Sequence, residues 1–446
     1  MPKLIHLGLD LSYAHMGGRW RDPRSLGGYV FPDVALYEKV ARIAERGCLD
    51  LIFSGDGTGV PDTWRGSRDA ALEWGVNWPR QDFGPLAVAM ARATKHVGLG
   101  LTFSTSFMHP YHMARYMNAM DHVSGGRMAM NLVASTRLSD FANFGMNALS
   151  NHDDRYARME EFVEVCELLW DSVEPDAMLW DAATGRVTDP AKVHDVHYEG
   201  AFFKVSGPLN TPPSPQGRPV LIQAGGSPRG VRASAKVADV IFGSDMALSE
   251  QVRQREMLDQ ACVAIGRDPE RCGILWQTPI AIAETEAEAV ARKDALLTSI
   301  PPEAVGAYLS YNVGYDFSTL PRRFRLSELQ AEIVKAHASP VGIVHKMMVE
   351  FGADAEFARE EFLEYGVRYA TYHVTMLAGT APQIADRLEE TFEATGSRGG
   401  FMLAHIPSLL RDLTGIVDLL VPELRRRGRF REVYKTTTLR ETLAED

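Results

Sequence analysis

Pro219–Asp245 reads PVLIQAGGSPRGVRASAKVADVIFGSD. Two short apolar runs, Pro219–Gly226 and Ala238–Asp245, flank the helical pattern Arg229–Val237. The runs are rich in Val and Ile and bounded by Gly, Pro or Asp, as buried parallel strands are. A strand, a glycine turn, a helix and a second strand make one β–α–β unit.

The same alternation extends both ways. Further strand candidates are Leu4–Ser12, Leu49–Asp56, His96–Thr105, Arg127–Thr136, Cys272–Glu284 and Gly399–Ile406. Helical patterns lie between them at Asp33–Gly47, Pro85–Thr94, Tyr111–Val123, Asp153–Ser172, Leu248–Ile265, Glu286–Thr298, Pro382–Ala394 and Ser408–Arg426. In the first, Leu36, Val40, Ile43 and Ala44 share a face, with Asp33 as N-cap and Gly47 as stop. About eight β–α pairs predict an α/β fold, a (β/α)8 TIM barrel. A doubly wound open sheet is the alternative, since strand count does not prove closure. The chain is expected to be one domain over residues 1–446, with insertions at about 57–84, 173–218 and 297–379. Connections this long are usually lids, binding loops or interface arms. The middle one, rich in Pro, Gly and Asp, is expected to be irregular.

Composition narrows the function. The 446 residues are 45% hydrophobic and 24% charged, an ordinary globular balance. The net charge of -11 argues against nucleic acid or an anionic membrane as partner. Cys48, Cys166, Cys262 and Cys272 are widely spaced, as free thiols in a reducing compartment are. The start MPKLIHLGLDLSY lacks the apolar core of a signal peptide. No run approaches the ~18 apolar residues of a membrane helix. A cytoplasmic protein is expected.

In a barrel, chemistry gathers at the carboxyl ends of the strands. Those ends carry Asp10, Asp56, Thr102, Ser104, Thr105, Asn131, Ser135, Thr136 and Gln223. Each alone reads equally as a helix cap or a core polar group. Facing one rim together, they read as a binding site. Gln223–Gly230 (QAGGSPRG) lets backbone approach a ligand and presents helix N–H groups to an anion. That is a phosphate cradle, although a Gly-Gly-Ser loop is also an ordinary tight turn. It lacks the G-x-G-x-x-G spacing and the P-loop Lys, so tightly held NAD or ATP is not supported. His152 and Tyr156, four apart at a helix start, share a face beside it. His109/His112 and His194/His197 have His-x-x-His spacing but no third ligand in a recognised arrangement, so no metal is expected. No G-x-S-x-G elbow appears.

Taken together, several stretches resemble the bacterial luciferase-like flavin-dependent monooxygenases. The branch is that of the nitrilotriacetate, dibenzothiophene sulfone and long-chain alkane monooxygenases. The stretches are Leu51–Asp56 (LIFSGD), Thr102–Arg115 (TFSTSFMHPYHMAR), Met120–Arg127 (MDHVSGGR), Asn131–Ser135 (NLVAS), His152–Tyr156 (HDDRY), Glu164–Asp171 (EVCELLWD), Pro213–Gln216 (PSPQ), Gln223–Gly230 and Val421–Arg427 (VPELRRR). The resemblance spans about Trp20 to Thr438. It implies a barrel that binds FMN, as FMNH2, through Asp56, Thr102, His152, Tyr156 and Ser227, with Asn131 and Gly226 beside them. It also implies a separate NAD(P)H-dependent flavin reductase and a homodimer or homotetramer. The chain departs from the family at His109, where Glu is frequent. It departs too at Met130, Ala134 and Thr136 around the fourth-strand motif.

The expected activity is a two-component monooxygenase that passes one atom of O2 to a small organic substrate. His15 and His109 are the candidates for proton transfer, since imidazole titrates near neutrality. Phe53, Trp64, Trp78, Phe107 and Tyr308 are candidates for the pocket wall. The alternatives are an F420-dependent oxidoreductase of the same superfamily and a flavin-binding protein without catalysis. A sugar-phosphate isomerase would need a Lys or Glu base that is not evident.

Overall fold

The computed structural model describes residues 3–12, 18–146, 151–244, 247–336 and 342–445. Eight parallel strands form the centre: β1 His6–Asp10, β2 Leu51–Ser54, β3 Gly98–Ser104, β4 Met128–Val133, β5 Val220–Ala224, β6 Val240–Gly243, β7 Gly273–Ile282 and β8 Gly399–Ala404. Their order is β6-β5-β4-β3-β2-β1-β8-β7, and β6 pairs with β7 to close the ring. The fold is therefore a closed barrel, and the open-sheet alternative is excluded. A ninth short strand, Leu377–Gly379, extends the far end of β7.

Each strand is followed by a helix: α1 Val34–Arg46, α2 Phe83–Ala93, α3 Pro110–Ser124, α4 His152–Trp170, α5 Pro228–Val237, α6 Leu248–Ala264 and α7 Ala381–Ala394. The eighth, Leu409–Gly415, runs through a π turn at Ile416–Leu420 into Val421–Arg426. Local chemistry sets the helix starts. The Asp33, Asp82, Asn151 and Ser227 side chains accept backbone N–H bonds as N-caps. All eight expected strands are present, each trimmed to the residues that pair.

The barrel interior is apolar at its lower levels. Leu51, Phe53, Ala129, Val220, Ile222, Val240, Leu275 and Met402 pack there, and Leu439 of the C-terminal segment plugs the bottom. Side chains alternate along a strand. The next inward positions are therefore Asp10, Thr102, Asn131 and Gln277, so the apolar plug carries a polar upper rim.

The insertions differ from one another. Residues 173–218 form two small hairpins, Met178–Asp181 with Arg186–Thr188 and Tyr198–Glu199 with Lys204–Val205. Within 297–379, in contrast, four helices pack on each other: Pro302–Val313, Leu326–Lys335, Ile343–Phe351 and Arg359–Ala370. Trp64, Ala71 and Val76 of the 57–84 insertion join this second core. Gly306 makes room for it, since a Cβ there would lie 2.5 Å from the Trp64 ring. Among the described residues, no helix is long and apolar enough to cross a membrane.

Candidate active site

The upper rim is built from β3 and β4. Thr102 Oγ1 donates to the Ser54 carbonyl at 2.9 Å and accepts from Asn131 Nδ2 at 3.0 Å. Both residues are buried. Asn131 Oδ1 is buried too and has no hydrogen-bond partner among the described residues. A buried acceptor without a partner is costly and points to a donor supplied from outside the chain.

Asp10 and Asp56 stand beside this pair. Asp10 accepts from the backbone N–H of Ser12 at 2.8 Å and from its hydroxyl. Asp56 accepts from Gly57 N–H at 2.7 Å. Burial raises both carboxyls above their usual range, although Arg80 acts against it.

Above Thr102 lies a cavity of about 210 Å³. Asp56, Asp82 and Asp140 share its wall with Phe83, Phe107 and Phe144. Helix Pro302–Val313 reaches over this side. Tyr311 OH donates to the Gly59 carbonyl at 3.1 Å, Arg137 lies over the Tyr311 ring at 4.6 Å, and Arg137 donates to Asn312 at 3.0 Å.

Between β5 and α5 the glycine–serine turn forms an open notch. A Cβ on Gly226 would meet nothing within 4 Å. Ser227 Oγ accepts from Gly230 N–H at 3.0 Å as the cap of α5. A Cβ on Gly230 would sit 3.0 Å from Tyr156 OH and 3.2 Å from Ser227 Oγ, so the two hydroxyls converge on the start of the helix. Arg229 lies over the Tyr156 ring at 5.2 Å and is paired with Glu160. The His152 ring is 5.0 Å from that of Tyr156. Two hydroxyls at a helix start and no Cβ in the way suit a phosphate. The orphan acceptor on Asn131 suits a hydrogen-bond donor on the body of the same ligand. These residues fit FMN.

Other expectations fare differently. Gln223 is buried on the outer face of β5 and accepts from Ser234 of α5, so it fixes a helix to the sheet. His109 is exposed, and its Nδ1 accepts from Tyr111 N–H at 3.3 Å as the cap of α3. Its ring meets Phe203 edge-on, outside the cavity. A role in proton transfer at the rim does not follow from that placement. Burial lowers its pKa, with Arg158 and His112 adding to the effect. His15 lies outside the described residues. Phe107 lines the cavity, whereas Phe53 is barrel core against Phe242 and Trp64 belongs to the insertion core. Trp78 is exposed. His194 and His197 pair with Glu174 and Asp195 on the surface.

One cluster was not anticipated. His405, just past β8, is buried with φ +51° and stacks on Tyr372 at 3.6 Å. Gln277 Nε2 is 3.1 Å from His405 Nε2. Burial, aided by Arg19, holds the imidazole far below its ordinary pKa and so neutral. A neutral ring accepts the amide proton at Nε2. Burial also lowers the Arg19 guanidinium to about 10, against Tyr308 and Tyr372, and Arg19 donates to the His405 and Ile406 carbonyls. The sequence signal was the two-residue step from Leu275 to Gln277, which puts the amide on the inward face.

The family profile of luciferase-like monooxygenases matches residues 20–399. The chain belongs to the luciferase-like monooxygenases. Among its relatives, the dibenzothiophene-sulfone monooxygenase of Rhodococcus erythropolis is 34% identical over 439 residues, covering 97% of this chain and 94% of that one. Component A of the nitrilotriacetate monooxygenase of Aminobacter aminovorans is 34% identical over 462 residues, covering 99% and 96%. A crystal structure of a riboflavin lyase with modified FMN and riboflavin superposes with a TM-score of 0.84 at 31% identity, covering 99% and 96%. The match of this luciferase-like chain to each of these three proteins spans nearly the full length of both chains.

Proposed function

We propose that the protein is the oxygenating component of a two-component system. It takes FMNH2 from a separate NAD(P)H-dependent flavin reductase and uses O2 to oxygenate a small organic substrate. The convergence of Ser227 Oγ and Tyr156 OH on the start of α5 carries this assignment. Support comes from the "component A" relative and from the FMN of the riboflavin lyase.

When bound, the reduced flavin supplies the electrons that activate oxygen. The chain's own groups do the rest. Ser227, Tyr156, His152 and the backbone at Gly226 hold the phosphate, where hydrogen bonds to a charged group are strong. Asn131, fixed by Thr102, would offer its carbonyl oxygen to the flavin, and Asp56, on the same rim, would face it. Helix Pro302–Val313, latched through Tyr311, keeps water from the β2–β4 side.

The test combines the protein with FMN, NADH, a generic flavin reductase and a panel of candidate substrates under 18O2. One labelled oxygen atom in the product is expected. Turnover with F420 and none with FMNH2 and O2 would overturn the assignment. So would FMNH2 oxidation that releases hydrogen peroxide with every substrate.

A further inference from the structure

We infer that the substrate is a neutral aromatic compound of one or two fused rings, seated in the cavity above Thr102 against Phe107 and Phe144, and that polycarboxylates are excluded. This rests on the functional assignment above and adds the substrate class to it.

One side of the wall is apolar and aromatic, facing a polar side of carboxylates and hydroxyls. Phe83, Phe103, Phe107, Phe144, Leu101 and Met108 contribute to the apolar side. Phe107 and Phe144 lie nearly parallel, 4.3 Å apart at 8°, and Phe107 meets Phe141 edge-on at 4.8 Å. Aromatic rings attract one another in these stacked and edge-on arrangements, so a further ring extends the set by the same geometry. Size agrees. An apolar cavity of about 150 Å³ accepts benzene, and this one is about 210 Å³.

The charges on the wall are all of one sign. Asp56, Asp82 and Asp140 line it, with no Lys, Arg or His among the described residues of the wall. Each carboxylate is tied to backbone: Asp56 to Gly57 N at 2.7 Å, Asp82 to Gly84 N at 2.9 Å and Asp140 to Gly59 N at 2.6 Å. They cannot swing away from an incoming anion. Arg80 and Arg137 stand at Gly57, their Nη1 atoms 3.6 and 3.3 Å from where its Cβ would be, and neither is part of the wall. These fixed carboxylates would repel a polycarboxylate, whereas they exert no like-charge repulsion on a neutral ring. Thr102 is also part of the wall, so a ring seated here lies next to the proposed flavin.

The probes are naphthalene and naphthalene-2,6-dicarboxylate, measured by equilibrium dialysis on the flavin-free full chain. FMNH2 affinity is measured anaerobically in parallel. Naphthalene should bind at least about tenfold tighter than the dicarboxylate, because like charges repel in a partly desolvated site. Phe107→Ala and Phe144→Ala should each weaken naphthalene about tenfold through lost stacking and burial, with FMNH2 affinity unchanged. Phe144 is 41% exposed, so its truncation leaves the fold intact even where that of Phe107 does not. Asp82→Asn keeps the α2 cap, since Asn caps as well as Asp. It should strengthen dicarboxylate binding and leave naphthalene unchanged. Equal affinity for the two probes would overturn the inference. So would indifference to both Phe substitutions, or competition between naphthalene and FMNH2, which would make the cavity the flavin's own berth. Absence of FMNH2 binding would bring down the functional assignment, and this inference with it, whatever naphthalene does.

Discussion

Two sides of the barrel mouth differ in construction. On the β4–β5 side, Ser227, Gly226 and His152 are exposed, and the cradle is made from a turn and two helix starts. On the β7–β8 side, His405 and Arg19 are buried, and Tyr308 and Tyr372 come from the long insertion beyond β7. The first side is open and locally encoded. The second is closed and exists only because distant segments meet. A mobile, charged tail needs solvent access and fixed donors, whereas a neutral imidazole needs burial. The separation follows from what each side is equipped to hold.

The largest expected effect is on the open side. Each hydrogen bond to a charged group contributes about 1.5–3 kcal/mol. Ser227→Ala with Tyr156→Phe should therefore weaken FMNH2 by at least about 3 kcal/mol, roughly a hundredfold. Loss of the Ser227 cap costs about 1 kcal/mol of stability, visible as a small fall in melting temperature. Anaerobic titration checks the first and thermal unfolding the second. Unchanged FMNH2 affinity would remove both hydroxyls from the phosphate site and erase the contrast between the two sides.

This contrast also explains what the sequence disclosed. The turn and helix starts of the proposed cradle were legible because their parts are neighbours in the chain, from Gly226 to Gly230, with Tyr156 four residues from His152. The eight strands were legible because parallel strands in a closed barrel are apolar on both faces. Gln223 misled because it lies one residue from the inward-facing Ile222, and that step turns it toward α5. Gln277 and His405 were hidden inside strand candidates. Only the closed ring shows which face of β7 is inward, and only the fold buries His405 at positive φ. The 297–379 segment was read by length, whereas Val305 and Leu309, or Leu326, Leu329 and Ile333, have the spacing of helix faces that pack on each other.

On the closed side the expected effect is on pH dependence. Burial holds His405 neutral in the fold, well below its ordinary value near 6.5. Below about pH 6.5 the unfolded chain binds a proton that the folded chain does not, so stability falls as the pH drops. The slope is at most about 1.4 kcal/mol per pH unit for one group. Above pH 6.5 the contribution is complete. His405→Asn, which tolerates the left-handed backbone, should lose this slope between pH 6.5 and 5 while keeping FMNH2 affinity at pH 7.5. Urea midpoints at pH 7.5 and 5.5 give the comparison. An equal fall in both proteins would mean that the imbalance lies elsewhere.

The smallest effect is expected where the insertion roofs the mouth. Tyr311→Phe removes one buried hydrogen bond, to the Gly59 carbonyl at 3.1 Å, and leaves the ring under Arg137 in place. The net cost is about 1 kcal/mol, read as a lower urea midpoint. Gly59 also accepts nothing less than a fixed position, because its N–H donates to Asp140 at 2.6 Å. That second tie limits how far the loop moves when the first is cut. FMNH2 affinity should therefore stay within about twofold of the parent, since the phosphate bonds that dominate it lie across the mouth. A tenfold loss on Tyr311→Phe would show that the roof and the cradle respond as one unit, and that the two sides are separate in construction but not in energy.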